Sequence, residues 1–454
     1  MKGPRKTTAP VLAGLAIIAG TAGVTGTAIT VQAQQSLRDQ FNQSIRYTDQ
    51  VEFPPRIGSR GDPARGQAGF GLGADGVSQD PSQALFSGHS LVAGGVISNG
   101  RTCATCHRPD PGLFLGLPPL PLSASVPAND VLFTGLRADA GDEPLGLQNL
   151  DQRGLLLQRP TRFNPLLPAT GAQRRVFFWR KPQRLINTVF TFGLLNDGRL
   201  RELVETTRGE VFAHTQNGDL RFDDITNAPP AGFPPDDQNR RLLDISRFIE
   251  EQIDPPALRA LLNPNHPDYP RLISDPFATV PITNAQQRRG AEVFRTSCMD
   301  CHNLPNVFSN RDHVNNPPLS SPSPYHRAFD IGVAQKNALN LEFRYFDVAA
   351  GQRVRLILPL VRADGATVNV PVVDDVGLAG ATGRFEDLHK FKVPQLRRIS
   401  QLGPYFHDNS VATLEGVVDY FNGPDYNSSP DGRNHPIHLT QEERSALLAF
   451  LRIL

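Results

Sequence analysis

The sequence predicts a mainly α-helical protein of two similar domains, with a small β insertion in the second. Three observations carry that prediction. Residues 102–107 (TCATCH) and 297–302 (SCMDCH) share one pattern and hold all four cysteines of the 454-residue chain. Apolar residues recur at helical spacing in the segment before each stretch, and again near the end of each half. Residues 341–348, 354–361 and 366–373 (LEFRYFDV, VRLILPLV, ATVNVPVV) carry β-type patterning, enough for a hairpin or small sheet.

In chain order, the first 33 residues read as a signal peptide. Lys2, Arg5 and Lys6 precede a Gly- and Ala-rich apolar stretch, and Val31-Gln32-Ala33 makes a small-x-small cleavage pattern. No other stretch reaches the about 18 apolar residues of a membrane helix. The reading is therefore an exported, periplasmic protein. Residues 34–65 form an N-terminal arm, and the Gly- and Pro-rich residues 58–80 read as a linker or draped segment. The first domain spans residues 66–264. In it, residues 81–92 (PSQALFSGHSLV) form a short helix before the first motif, and residues 236–262 close the domain. The second domain spans residues 269–454. Its first helix is residues 284–297, with Thr283 as the N-cap, and its last begins at Thr440, with Glu443 completing a capping box. Residues 303–326, rich in Asn, Ser and Pro, read as a lid-like loop.

Composition narrows the function. The 46 basic and 45 acidic residues nearly cancel, which argues against nucleic-acid binding through bulk charge. The 40 prolines and 39 glycines imply many turns and few long helices.

The cysteine pattern is the most informative feature. Cys-x-x-Cys followed at once by His is the signature of c-type haem attachment: two thiols add to the vinyl groups of one haem and the next imidazole ligates its iron. A four-cysteine zinc site leaves both histidines unexplained, and a redox dithiol needs a βαβ context. The assignment is Cys103, Cys106 and His107 for one covalently bound haem c, and Cys298, Cys301 and His302 for the other.

Residues 391–422 (FKVPQLRRISQLGPYFHDNSVATLEGVVDYFN) resemble the bacterial di-haem cytochrome c peroxidase family, which includes the MauG-type enzymes that oxidise a partner protein. Residues 185–199 (LINTVFTFGLLNDGR) resemble the family's L-x-N…F-W-D-G-R segment. The resemblance implies two cytochrome-c-like domains with one haem each. The His302 haem would accept electrons from a small donor protein, a c-type cytochrome or a cupredoxin. The His107 haem would meet hydrogen peroxide, and a homodimer is a candidate assembly. MauG-like oxidation of a partner or organic substrate is the second reading, and a non-catalytic electron carrier the third.

The chain departs from the family pattern at several places. Asn409 replaces a Gly. The second iron ligand of the electron-transfer haem, Met or Tyr in the family, falls by count on Phe421, and the only methionines are Met1 and Met299. Tyr420 is the nearest candidate by position, and His407, His435, His438 and His326 are candidates by chemistry. The loop after His107 contains no His. The family's bridging Trp is Asn196, leaving Trp179 as a candidate relay, and the distal Glu falls by count on Gln216. Glu210 and His214 are the nearby proton acceptors, and His214 is preferred because imidazole titrates near neutral pH. Lys181 stands where the family's calcium site has an Asn, which puts calcium in question.

Overall fold

A computed structural model describes residues 61–80, 97–110, 113–134, 146–158, 164, 166–167, 178–191, 193–200, 203–214, 216–217, 235–310, 328–336, 345–347, 352–354 and 357–454. The signal peptide, the helix expected at residues 81–92 and most of the loop at 303–326 lie outside the described residues. The fold is helix-rich with small sheets. Seven helices position the site: α1 (Pro63–Phe70), α2 (Cys103–Cys106), α3 (Leu203–His214), α4 (Pro235–Glu250), α5 (Ala285–Ser297), α6 (Leu414–Asn422) and α7 (Gln441–Leu451). Among the described residues no helix is long and apolar enough to cross a membrane.

The segment read as a linker contains α1. Asp62 caps it by accepting from the Ala64 and Arg65 amides, and Phe70 is fully buried. The glycines that suggested a linker serve a close helix crossing instead. A Cβ on Gly66 would fall 1.9 Å from the Asp244 carbonyl oxygen of α4, so only hydrogen fits there. One turn on, Phe70 meets Phe248 with ring centroids 5.3 Å apart. The same construction recurs where α5 crosses α7. A Cβ on Gly290 would lie 2.0 Å from the Ala446 oxygen, and Phe294 meets Phe450 at 5.3 Å. Gly-x-x-x-Phe therefore marks one helix of each crossing, and the partner helix of each carries Phe on its buried face. Replacing Gly290 with Ala should destabilise the fold by about 1–3 kcal/mol, because the backbone across the crossing must move. Urea unfolding within about 0.5 kcal/mol of the parent, the range of an ordinary surface change, would refute this account of the crossing.

Helix ends follow their sequences. Asn284, not Thr283, caps α5 by accepting from the Gln287 amide. Thr283 bonds the Gln287 side chain instead. Thr440 and Glu443 form the capping box of α7.

The β patterning becomes two antiparallel hairpins, β8 (Tyr345–Asp347) with β9 (Gln352–Val354) and β10 (Ile357–Val361) with β11 (Thr367–Pro371). Four further pairs are β1 (Ile97–Ser98) with β6 (Gln216–Asn217), β2 (Arg108–Asp110) with β3 (Leu113–Gly116), β4 (Leu156–Gln158) with β5 (Phe178–Arg180), and β7 (Ala328–Phe329) with β12 (Phe391–Lys392). The second hairpin lies across the halves. Leu358 and Leu360 pack with Leu155, Leu157, Phe178 and Trp179 of the first half in one core.

A second internal repeat joins these elements. Asn187 and Arg398 both take left-handed φ (58° and 59°) and open 3-10 turns at Thr188–Phe190 and Ile399–Gln401. Isolated antiparallel bridges follow, Leu194 with Leu200 and Tyr405 with Val411. Inside each bridge the chain turns through positive φ at Leu195 and Gly198, and at Phe406 and Asn409. The repeat keeps a constant spacing throughout, which pairs Gly198 with Asn409. Asn tolerates the left-handed region better than other side-chain-bearing residues, so the φ of 57° explains how Asn replaces Gly there. Helices α3 and α6 follow the two turns.

Candidate active site

The two Cys-x-x-Cys-His stretches adopt one turn. The His107 amide donates to Cys103 O and the His302 amide to Cys298 O, each at 2.9 Å. None of the four cysteines is in a disulfide. Burial pushes the Cys103 and Cys298 thiols up to about 12, opposite to the lowered pKa of a redox dithiol. Among the described residues no three His, Cys, Asp or Glu side chains converge as a metal-binding cluster.

One cavity of about 350 Å³ is lined by Cys103, Cys106 and His107 and also by His302, with mostly apolar walls between them. Burial drives the imidazoles of His107 and His302 down to about 4, which keeps them neutral, the form that ligates a metal. His302 Nδ1 is held at 2.8 Å by the Phe308 carbonyl, an arrangement that fixes the ring and leaves Nε2 as the basic nitrogen. Nδ1 of His107 is buried with no hydrogen-bond partner. A buried ring nitrogen left unbonded beside two thiols in an apolar cavity is a set of donors fitting an iron porphyrin.

Helices α3 and α6 close the cavity at equivalent positions of the repeat. Thr206 pairs with Val417 and Glu210 with Phe421, and all four line the cavity. Near His107 the wall is polar. His214 Nε2 donates to Glu210 Oε2 at 3.0 Å, one helical turn apart. Burial pushes the Glu210 carboxyl up, but the His214 hydrogen bond and the His214, Arg199 and His107 charges outweigh it and hold it below the ordinary carboxylate range. Near His302 the corresponding wall is apolar, with Phe421, Val417, Ile331 and Val333 among the lining residues.

The structure brings Glu210 and His214 together with His107. Gln216, the position reached by counting, lies beyond the end of α3, its backbone paired with Ser98 in β6 and β1. The proposed sixth ligands of the His302 iron fare differently. The Tyr420 hydroxyl donates to the Ile331 carbonyl at 2.6 Å. His435 is half-buried beside Asp300, and His438 is exposed. His407 lines the cavity, its ring stacked on Phe391 at 4.0 Å. His326 lies outside the described residues. Trp179 sits in the hairpin core rather than among the described residues lining the cavity.

The two halves hold one another reciprocally beside the cavity. The Lys181 amide donates to His407 O at 2.8 Å, and the Lys392 amide to Asn196 O at 3.1 Å, which are equivalent bonds of the repeat. The side chains cross too. Lys181 Nζ reaches Leu402 O (3.1 Å) and Pro404 O, and Lys392 Nζ reaches Gly193 O (3.0 Å). Arg180, fully buried, bonds Asp375 through two nitrogens and Asp197 through a third, each at 2.6 Å. Sequence reasoning missed Lys392 as the counterpart of Lys181. The runs Lys181-Pro182-Gln183 and Lys392-Val393-Pro394-Gln395 carried the signal, obscured because the Pro-Gln pair sits one position later after the second lysine.

No established family profile matches the chain. A cytochrome-c peroxidase named IdrP2 from Denitromonas iodatirespirans is 25% identical over 299 residues, 64% of this chain and 72% of the relative. The cytochrome-c peroxidase IdrP1 of a Pseudomonas species is 23% identical over 61% of this chain and 68% of that protein. The methylamine utilization protein MauG of Methylorubrum extorquens is 37% identical over 67 residues, 14% of this chain and 19% of MauG. Among solved structures, the diheme peroxidase BthA of Burkholderia thailandensis aligns with 83% of this chain and 88% of its own, at 19% identity and a TM-score of 0.40.

Proposed function

We propose that the chain is an oxidoreductase of the bacterial di-haem cytochrome c peroxidase and MauG type, and that it reduces hydrogen peroxide in the periplasm with electrons from a small donor protein. Two haem c groups would be attached through Cys103 and Cys106 and through Cys298 and Cys301, with His107 and His302 as iron ligands. Each would sit in a cytochrome-c-like domain built on one of the two helix crossings. When bound, haem supplies the iron at which an O–O bond can be cleaved and the redox couple that carries electrons to it.

The observation that carries this reading is the unequal pair Glu210 and Phe421. At equivalent positions one wall offers a carboxylate and the other a phenyl ring. Cleaving peroxide requires a base that takes the proton from one oxygen and delivers it to the other. Glu210 meets that need, because its depressed pKa keeps it ionised. His214 donates to Glu210 and so aims its carboxylate. On the other side, Phe421 and Val417 offer no proton acceptor, which suits a centre that only passes electrons. Lys181, Lys392 and the Arg180 network hold the two halves in one register, so the distance between the centres stays constant.

The experiment is direct. The resting protein should show a high-spin ferric band, and peroxide should be consumed rapidly in the presence of a reduced small c-type cytochrome. Two low-spin centres with no peroxide turnover would leave only an electron carrier.

A second reading, MauG-like oxidation of a partner or organic substrate, is favoured by Phe421, which removes the thioether that raises the potential of an electron-accepting haem. Slow turnover with a reduced donor, together with a long-lived peroxide-oxidised state, would select it.

A further inference from the structure

Three cations lining the cavity are not used by the proton chemistry above: Lys181, Arg184 and Lys392. The two lysines are equivalent in the internal repeat, one from each half. Their hydrogen-bond partners are neutral carbonyls, Leu402 and Pro404 for Lys181, Gly193 for Lys392 and Arg397 for Arg184. Among the described residues none of the three has a carboxylate within ion-pair distance. Nearby Arg180 shows the contrast, since this fold brackets it with Asp197 and Asp375. An ammonium has three donors. One therefore remains unused on Lys181 and two on Lys392, and the residual surface of both side chains belongs to the cavity wall.

Clustered buried cations without counter-charge are unfavourable. Burial and repulsion from Arg184 push both lysines down to about 7, against upward fields from Asp408 and Asp197. Burial likewise brings Arg184 to about 9. Among the described residues no carboxylate pairs with these cations, and a haem, where bound, carries two propionate carboxylates.

We propose that Lys181, Arg184 and Lys392 form one carboxylate cradle on the seam, binding the propionate side chains of both porphyrins, so that the two prosthetic groups share a single cation cluster. This rests on the haem reading above. A cation beside a haem stabilises the reduced, more electron-rich form, so each lysine raises the potential of both centres.

The test uses the full-length, haem-loaded protein with Lys181→Met, Lys392→Met and Lys392→Arg. Haem content is measured first, and a parent without haem would refute the haem reading and not the cradle. With haem complete, both Met variants should lower both midpoint potentials and move the propionate bending band in resonance Raman spectra, and Lys392→Arg should restore both. Unchanged potentials and bands in the Met variants would overturn the cradle, as would parent potentials that shift on adding phosphate or chloride, which would place a solute anion there. Should the Met variants lose haem, the parent decides. Propionates paired with cations stay ionised, so their band should hold steady from about pH 5 to about pH 8, and titration within that range would overturn the proposal.

Discussion

Cys103→Ala should remove one covalently bound haem and leave the other in place, and Cys298→Ala should do the reverse. The altered motif loses one of its two thioether links, and with it the stable attachment of that haem. The independence of the two effects follows from the architecture. Each motif is a self-contained turn closed by its own amide bond, His107 to Cys103 and His302 to Cys298. Each half also carries its own glycine-mediated helix crossing and its own apolar core, around Phe70 and Phe248 in one and Phe294 and Phe450 in the other. Haem stain on a denaturing gel, with the mass of the intact chain, reads the result. Two haems retained in either variant, or both lost in each, would defeat the assignment.

Glu210→Gln should slow peroxide cleavage by roughly 10²–10⁴-fold, the size of a general acid–base contribution. Gln keeps the shape and can still accept from His214, so haem content and fold should be unchanged. The pH profile separates the two candidate bases. A base must be ionised or neutral to accept a proton, and the Glu210 carboxyl titrates below its ordinary value. The parent rate should therefore hold constant through neutral pH and fall only in acid, below the ordinary carboxylate range, as Glu210 takes up its proton. An imidazole base would instead lose its rate at higher pH than a carboxylate base, as acid charges the ring. A Glu210→Gln rate within threefold of parent, with an acid limb near neutrality, would transfer the role to His214.

Helix boundaries and caps were legible where the signal is local. The capping box at Thr440 and Glu443 is such a case, since every participating atom lies within one turn. The hairpins were legible from alternation, although their packing onto β4 and β5 was not. Helix α1 was misread because three glycines in a short span resemble a linker. Gly66 is there because the Asp244 carbonyl of α4 occupies the space of its side chain, and that carbonyl is far away in the chain. Counting reached Gln216, which lies past the end of α3 with its backbone paired to Ser98 and is not among the described residues lining the cavity. A count assumes constant spacing to another protein, whereas the equivalence of Glu210 with Phe421 follows from this chain's own repeat. The repeat shows itself in backbone dihedrals such as the shared left-handed φ of Asn187 and Arg398, not in residue identity.

The sequence alone pointed to the chemistry of attachment. Cys-x-x-Cys-His specifies thiols and an imidazole on one turn, and local spacing suffices to place them together. It also determined that no Met can serve the second centre. The tertiary structure decided which side chains share the cavity, which lysine answers which across the seam, and why one wall is acidic and the other apolar. Those outcomes depend on groups about two hundred residues apart meeting at a few ångströms, as Lys181 meets Leu402. Such meetings are set by the packing of whole helices, which no short stretch of sequence encodes.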